Sequence, residues 1–272
     1  MFSSNQPSIC TSIRGLIYLD VMVESMNSDV HSGQLGGGVP NVIHYVSQLL
    51  SAMKDPVTNR VLIPGFYDDV GQYTGVTLSD DTVTKYLNEL DQTLRIGRHA
   101  NTDFFNNIWY QPTLDCNGFS AGFTDEGAKT VIPNVAQFKV SCRLVGDQKP
   151  QHMIDLVSSF IKSSLPNDFR IEINDFNTHA HPIKVDANSP YIQLALRALS
   201  ETHGVDAIIQ GEGGSIPVLY ECQQILGVPL VMIGLNTPQD NIHAPNERFR
   251  LDDYKNGIDA IIRYFSYLGT MD

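Results

Sequence analysis

The apolar positions along residues 13–24 fall into two interleaved sets: Leu16, Tyr18, Asp20 and Met22 alternate with Ile17, Leu19, Val21 and Val23. This run is rich in β-formers and apolar on both faces, which predicts a strand. A glycine-rich loop follows from Asn27 to Gly38, and Pro40 then opens a segment whose Val42, Tyr45, Val46, Leu49 and Leu50 share one helical face. That predicts a helix to about residue 53. Residues 54–108 hold Pro56, Pro64-Gly and a polar helical stretch over about 80–97, and read as an insertion. Strands are predicted over 107–116 and 131–145, a helix over 148–165 with Met153, Val157, Phe160 and Ile161 in a stripe, and a strand over 169–175. The order β-α-(insertion)-β-β-α-β is that of the split βαβ, or ferredoxin-like, arrangement.

Beyond Pro182 the pattern changes. Residues 189–203 predict a helix with Pro190 in its first turn and Gly204 past its end. A short strand over 205–209 leads through Gly211-Glu-Gly-Gly-Ser215-Ile-Pro217 into a helix ending near Gly227. The continuous apolar run 228–234 predicts a buried parallel strand. A polar loop over 235–250 precedes a last helix over 251–268, with Tyr254, Ile258, Ile261, Ile262 and Phe265 on one face. Alternating helix and strand suggests part of an α/β layer, so a boundary near 178–185 separates two architectures.

Length and charge narrow the function. With 272 residues, 42% hydrophobic, the chain can bury a real core in one or two domains. A net charge of −12 disfavours phosphate-backbone binding and docking on an anionic membrane. No apolar run approaches the ~20 residues of a bilayer span. The start Met-Phe-Ser-Ser-Asn-Gln-Pro has neither basic residues nor an apolar stretch, so no signal peptide is read there. Cys10, Cys116, Cys142 and Cys222 form no C-x-x-C pair and read as reduced thiols, hence a cytoplasmic expectation.

Several residues could carry chemistry. His243 sits in the loop after the apolar run 228–234, where open α/β sheets bind ligands; it reads either as a metal-binding imidazole or as a loop histidine with no role. Gly213-Gly214-Ser215-Ile-Pro217 stands at a helix start, where Ser215 could cap and unpaired N–H groups could receive an anion. It is neither a nucleophile elbow nor a dinucleotide fingerprint, because Pro217 and Ile216 occupy the required glycine positions. Arg143 on a strand suits bidentate capture of a carboxylate, or is a strand-edge arginine with a solvated head. His31, in Asp29-Val-His31-Ser-Gly33, could donate to an oxyanion or close a polar turn. His179 and His181 flank Ala180 at the boundary.

Taken in order, Ile13-Arg-Gly-Leu, Asp29-Val-His31-Ser-Gly33, Pro64-Gly-Phe-Tyr-Asp-Asp69, Lys129-Thr130-Val-Ile-Pro133, Arg143-Leu-Val, Glu212-Gly-Gly-Ser215-Ile-Pro217 and His243-Ala-Pro-Asn-Glu247 form one series. With it the chain resembles the zinc-dependent aminoacylase/carnosinase/carboxypeptidase family of metallopeptidases, and within it the cytosolic non-specific dipeptidases. The resemblance runs over essentially the whole chain. It implies a ferredoxin-like βαββαβ dimerisation (lid) domain over 13–180, with the insertion at about 54–108. Residues 1–12 and 181–272 would be part of an α/β catalytic domain. It implies hydrolysis of dipeptides or N-acyl amino acids with two divalent metal ions, zinc or manganese. His243 would be a metal ligand and Arg143 would bind the substrate's terminal carboxylate. Thr130, Gly214, Ser215 and His179 would line the pocket, with His181 as a register alternative to His179. His31 would reach across a homodimer interface to the oxyanion in the partner's site.

One departure from the family shapes the expectation. The family takes most of its metal ligands and its general base from a stretch preceding the Ile13-Arg-Gly segment. Here twelve residues precede Ile13, and none is His, Asp or Glu. The chain is therefore read as the C-terminal part of such an enzyme, retaining at most one ligand and inactive alone. A catalytic domain without its first strands would leave the sheet near 228–234 open to pairing with another chain. Gly211 also stands where this branch commonly carries arginine. The alternatives are a non-catalytic dimerisation or regulatory protein, and one half of a split enzyme whose N-terminal half is a separate chain.

Overall fold

The computed structural model describes residues 1–3, 5–71, 78–91, 104–177 and 179–271. It resolves into two compact units: one of Gly15–Gly71 and Pro112–Pro182, the other of Met1–Arg14, Gln72–Gln111 and Ile183–Asp272. Of the expected insertion, residues 54–71 fall in the first unit and the described residues 78–91 and 104–108 in the second.

In the first unit, β2 (Gly15–Glu24) pairs along its whole length with β6 (Val135–Leu144), antiparallel. Strand β4 (Thr113–Ala121) lies outside β6, and β7 (Arg170–Asn174) outside β2, giving the order β4-β6-β2-β7. With α2 (Val42–Met53) after β2 and α5 (Pro150–Ser163) after β6, this is the expected split βαβ order. Strand alternation explains the core: Ile17, Leu19, Val21 and Val23 are fully buried, and Val46, Leu49, Met153 and Val157 from the helices join the same cluster. Each such side chain contributes about 1.5–3 kcal/mol on burial. The other face of β2, although it too carries apolar residues, is only half-buried. An antiparallel sheet can leave one face wet. There Asp20 accepts from Lys139 Nζ at 2.7 Å, which draws its carboxyl below the usual range despite the opposing cost of burial.

Smaller corrections fall at proline and glycine. The strand expected over 131–145 is two, Val131–Ile132 (β5) and β6, separated at Pro133. The loop expected between Asn27 and Gly38 contains a two-residue strand, Val30–His31 (β3), and one helical turn, Ser32–Leu35 (α1).

The second unit is built on β1 (Ser8–Ile13), which pairs in parallel with β10 (Ile208–Glu212) and antiparallel with β9 (Ile183–Lys184). The helical stretch expected at 80–97 is observed as α3 (Asp80–Asp91), and 92–97 lie outside the described residues. The strand expected at 107–116 is a correction. Phe104–Trp109 is helical (α4), and the strand begins only at Thr113. Phe105 and Trp109, one helical turn apart, meet as a tilted pair with ring centroids at 4.5 Å and pack on Phe2, while Pro112 ends the helical stretch. The buried strand expected over 228–234 is also absent: Met232 makes one bridge to Cys10, and Val228 is exposed. Pro229 has no N–H to give, and β9 already holds the neighbouring positions of β1.

Helix α6 (Pro190–His203) starts at Pro190 and stops at Gly204 in the left-handed region, as expected. It packs on α8 (Leu251–Leu268) through Ala195, Ala198, Leu199, Ala260 and Tyr264. A polar clamp borders this contact. Tyr267 Oη and Arg197 Nε (2.8 Å) both donate to Glu201, and Arg263 Nε donates to Asp259 at 2.9 Å. Tyr267 first, then Arg197, hold the Glu201 carboxyl below its ordinary 4.5, and Arg263 does the same for Asp259 below its ordinary 3.8. A carboxylate lowered in the folded state stabilises fully above its unfolded pKa, and that contribution disappears as pH falls through the folded value. Melting temperature should therefore hold from neutral pH to the ordinary carboxylate range and drop below it. Melting curves of Glu201→Gln should show a shallower acid drop than the parent; parallel curves would remove the clamp from the account.

Candidate active site

In the first unit two of the sequence-predicted residues meet. The β3–β5 ladder sets His31 opposite Val131, and Ser32 N donates to Thr130 O at 3.0 Å. Gly33 N donates to His31 Nδ1 at 3.0 Å, and His31 Nε2 lies 3.2 Å from Thr130 Oγ1. A ring nitrogen that accepts from a backbone N–H carries no proton, so in the neutral ring the proton is on Nε2. His31 is thus an exposed, oriented hydrogen-bond donor with Thr130 beside its tip. Arg143 stands on β6 opposite Leu16 and Thr113, half-buried. His179 lies on the two-residue strand His179–Ala180 (β8), opposite Ile17, while Ala180 lies opposite Leu16. Arg143 and His179 therefore occupy adjacent rungs of one sheet.

The second unit holds Gly214, Ser215 and His243. Ser215 does not cap α7 (Pro217–Leu226); its Oγ donates to Arg14 O at 2.7 Å, and Ile216 takes the cap position with no side-chain bond. The loop before α7 is instead pinned by a residue the sequence reading passed over. Arg14 Nε donates to Gly213 O at 3.0 Å and its Nη1 to Gln111 O, while Arg14 N donates to Glu212 O. Glu212 Oε1 in turn accepts from Gly214 N at 2.8 Å. The signal was present: a lone cation interrupts the apolar run between Ile13 and Leu16. This loop borders a cavity of about 760 Å³ that Cys10, Trp109, Glu212 and Gly214 help to line. Burial pushes the Cys10 thiol up to about 12, so it is a neutral group and not a nucleophile near neutral pH.

His243 lies on an exposed turn with φ +61°. The turn is closed from beneath by buried Asp240, whose Oδ2 accepts from Thr237 N at 2.6 Å and whose carbonyl accepts from Arg248 N at 2.9 Å. A dinuclear centre needs several carboxylate and imidazole donors. Among the described residues no three His, Cys, Asp or Glu side chains converge as such donors would. The described residues by themselves do not fit a pair of metal ions.

The comparisons agree with the fold. Residues 11–168 match the M20 peptidase dimerisation domain. The chain belongs to the M20 peptidase dimerisation-domain family. Among curated proteins it is similar to the Cys-Gly metallodipeptidase of Candida albicans, 29% identical over 98% of this chain and 56% of the relative. It is also similar to the Beta-Ala-His dipeptidase of Rattus norvegicus, 26% identical over 99% of this chain and 56% of that protein. The chain spans about half the length of the curated relatives it matches. Among solved structures, an M20 family metallo-carboxypeptidase of Sulfolobus solfataricus shares the fold with a TM-score of 0.78 at 24% identity, over 95% of this chain and 59% of that one.

Proposed function

We propose that this chain contributes the dimerising lid and part of the catalytic domain of a metallopeptidase that hydrolyses dipeptides or N-acyl amino acids. The observation that carries the reading is the oriented His31–Thr130 pair on the very unit that matches the family. In this reading His31 Nε2–H donates to the oxyanion that develops on the scissile carbonyl of the partner's substrate, in a homodimer formed through the lid. Arg143 receives the free carboxylate, with Thr130, His179, Gly214 and Ser215 around the substrate. His243 offers one imidazole to a metal, zinc being the candidate. The remaining donors and the general base come from outside this chain, so the chain alone does not turn over. The free thiols support a cytoplasmic setting, and no described helix is long and apolar enough to cross a membrane.

Calorimetric titration of the 272-residue chain with zinc tests this, beside His243→Ala. The expected result is no tight binding of two ions per chain and no hydrolysis of a dipeptide. Two tightly bound ions, lost in His243→Ala, together with turnover by the chain alone would overturn the partial-site reading. That the described residues assemble no donor cluster also favours a second reading, a dimerisation protein without chemistry. A stable dimer that never gains activity when the missing donors are supplied would select it.

A further inference from the structure

We propose that Tyr18 and Phe176, on the open face of the first unit's sheet, form an aromatic wall that receives the side chain of the substrate's carboxyl-terminal residue and selects an apolar or aromatic one. This rests on the reading above, in which Arg143 holds the free carboxylate, and deepens it by naming the substrate class.

Strand register puts these parts on one face. Buried and half-buried positions alternate along β2 and β6, so Leu16, Tyr18 and Asp20 share the open face with their rung partners Arg143, Ser141 and Lys139. Tyr18 stands two residues from Leu16, the residue opposite Arg143. That spacing is about 7 Å along the sheet. A residue held at Arg143 by its carboxylate therefore has Tyr18 within reach of its side chain.

Phe176 completes the wall in a conformation that costs energy. It lies in the turn after β7 with φ +54°, and Asn177 follows at φ +52°. A bulky residue is seldom held in the left-handed region, and such outliers gather at ligand sites. Two side chains fix the turn: Phe176 N donates to Asn174 Oδ1 at 2.9 Å, and Asn177 N donates to Asp175 Oδ1 at 3.0 Å. The outcome is a ring 49% exposed, with its centroid 6.5 Å from that of Tyr18. Burial in a core does not explain this placement, since half of Phe176 meets solvent.

The charge beside the wall sets its preference. Lys139 Nζ lies 5.5 Å from the Phe176 ring centroid, and Asp20 holds that ammonium at 2.7 Å. With its charge met, Lys139 does not draw an acidic side chain to the wall. The two rings instead gain from apolar contact and from a third ring packed against them.

NMR titration of the 272-residue chain with N-acetyl-L-phenylalanine and with N-acetylglycine tests the proposal. Both ligands carry a free carboxylate, and only the first has a side chain. The phenylalanine ligand is expected to bind at least about tenfold more tightly, the order of discrimination an apolar pocket gives. Phe176→Gly should abolish that preference and leave the N-acetylglycine affinity unchanged. The melting temperature should hold in this variant, because glycine adopts φ +54° without a Cβ penalty. Phe176→Tyr should keep the preference. Equal affinities in the parent, no binding of either ligand, or a preference that survives Phe176→Gly would overturn the proposal. The underlying reading fails by other routes. Arg143→Gln that weakens neither ligand takes the carboxylate away from Arg143 and leaves the wall. An assembly containing this chain that hydrolyses no dipeptide removes the hydrolase and leaves the binding preference.

Discussion

In an assembly that hydrolyses dipeptides and contains this chain, His31→Ala is expected to lower kcat/KM by about 10²- to 10³-fold, the usual cost of one oxyanion donor. The loss should fall mainly on kcat, because an oxyanion exists only at the transition state. Gly33 N–H occupies Nδ1 at 3.0 Å, which leaves the proton on Nε2, and Thr130 Oγ1 lies 3.2 Å from that nitrogen. The imidazole is therefore a donor before any substrate arrives, and orienting it costs nothing at the moment of reaction. His31→Gln, which keeps an N–H near the same place, should retain more activity than His31→Ala. Steady-state kinetics of both variants decide the matter. Unchanged kcat in His31→Ala would take His31 out of the chemistry and leave it as the cap of α1, where it stands in the structure.

Gly211→Arg, which places an arginine where the resemblance to the dipeptidases implies one, is expected to destabilise the second unit rather than repair a site. A Cβ built at Gly211 would stand 2.6 Å from Trp109 Cβ, 2.8 Å from Tyr110 Cε1 and 2.9 Å from Ser12 Oγ. Trp109 and Tyr110 belong to the aromatic cluster around Phe2 and Phe105, so they cannot yield without unpacking α4. Forcing atoms into such packing costs about 1–3 kcal/mol, and an arginine asks for more than one extra carbon. The chain has one tryptophan, Trp109, which makes the outcome easy to read. Its emission should shift to longer wavelength as the indole meets water, and the melting temperature should fall by several degrees. Both signals unchanged would mean that α4 yields this space freely.

Much of the fold was legible because burial imposes a period on the sequence. The alternation in β2 and β6, the stripes of α2 and α5, and the proline and glycine that bound α6 each predicted an element close to its observed limits. Their succession was enough for the split βαβ topology. The candidate site was less legible. Motif order singled out His31 and Thr130, but only the β3–β5 ladder brings two residues 99 apart in sequence into contact. Arg14 was overlooked because its role is to hold the carbonyls of Gly213 and Gln111, about 200 and 97 positions away, and no local period reports such a bond. Ser215 was read as a cap from its neighbours, yet its hydroxyl found the carbonyl of Arg14 instead.

Two elements mark the line between the levels. For α8 the sequence determined the helix and its apolar stripe, since both follow from the 3.6-residue repeat. Tertiary structure decided that the core-facing side is the neighbouring arc of Gly257, Ala260 and Tyr264, and that the stripe stays in solvent. A helical period gives the angle between side chains, never the identity of the surface that covers them. The run 228–234 makes the same point for strands. Its composition determined an apolar, extended segment, but a strand exists only where another backbone offers partners, and β1 offers Met232 a single bridge.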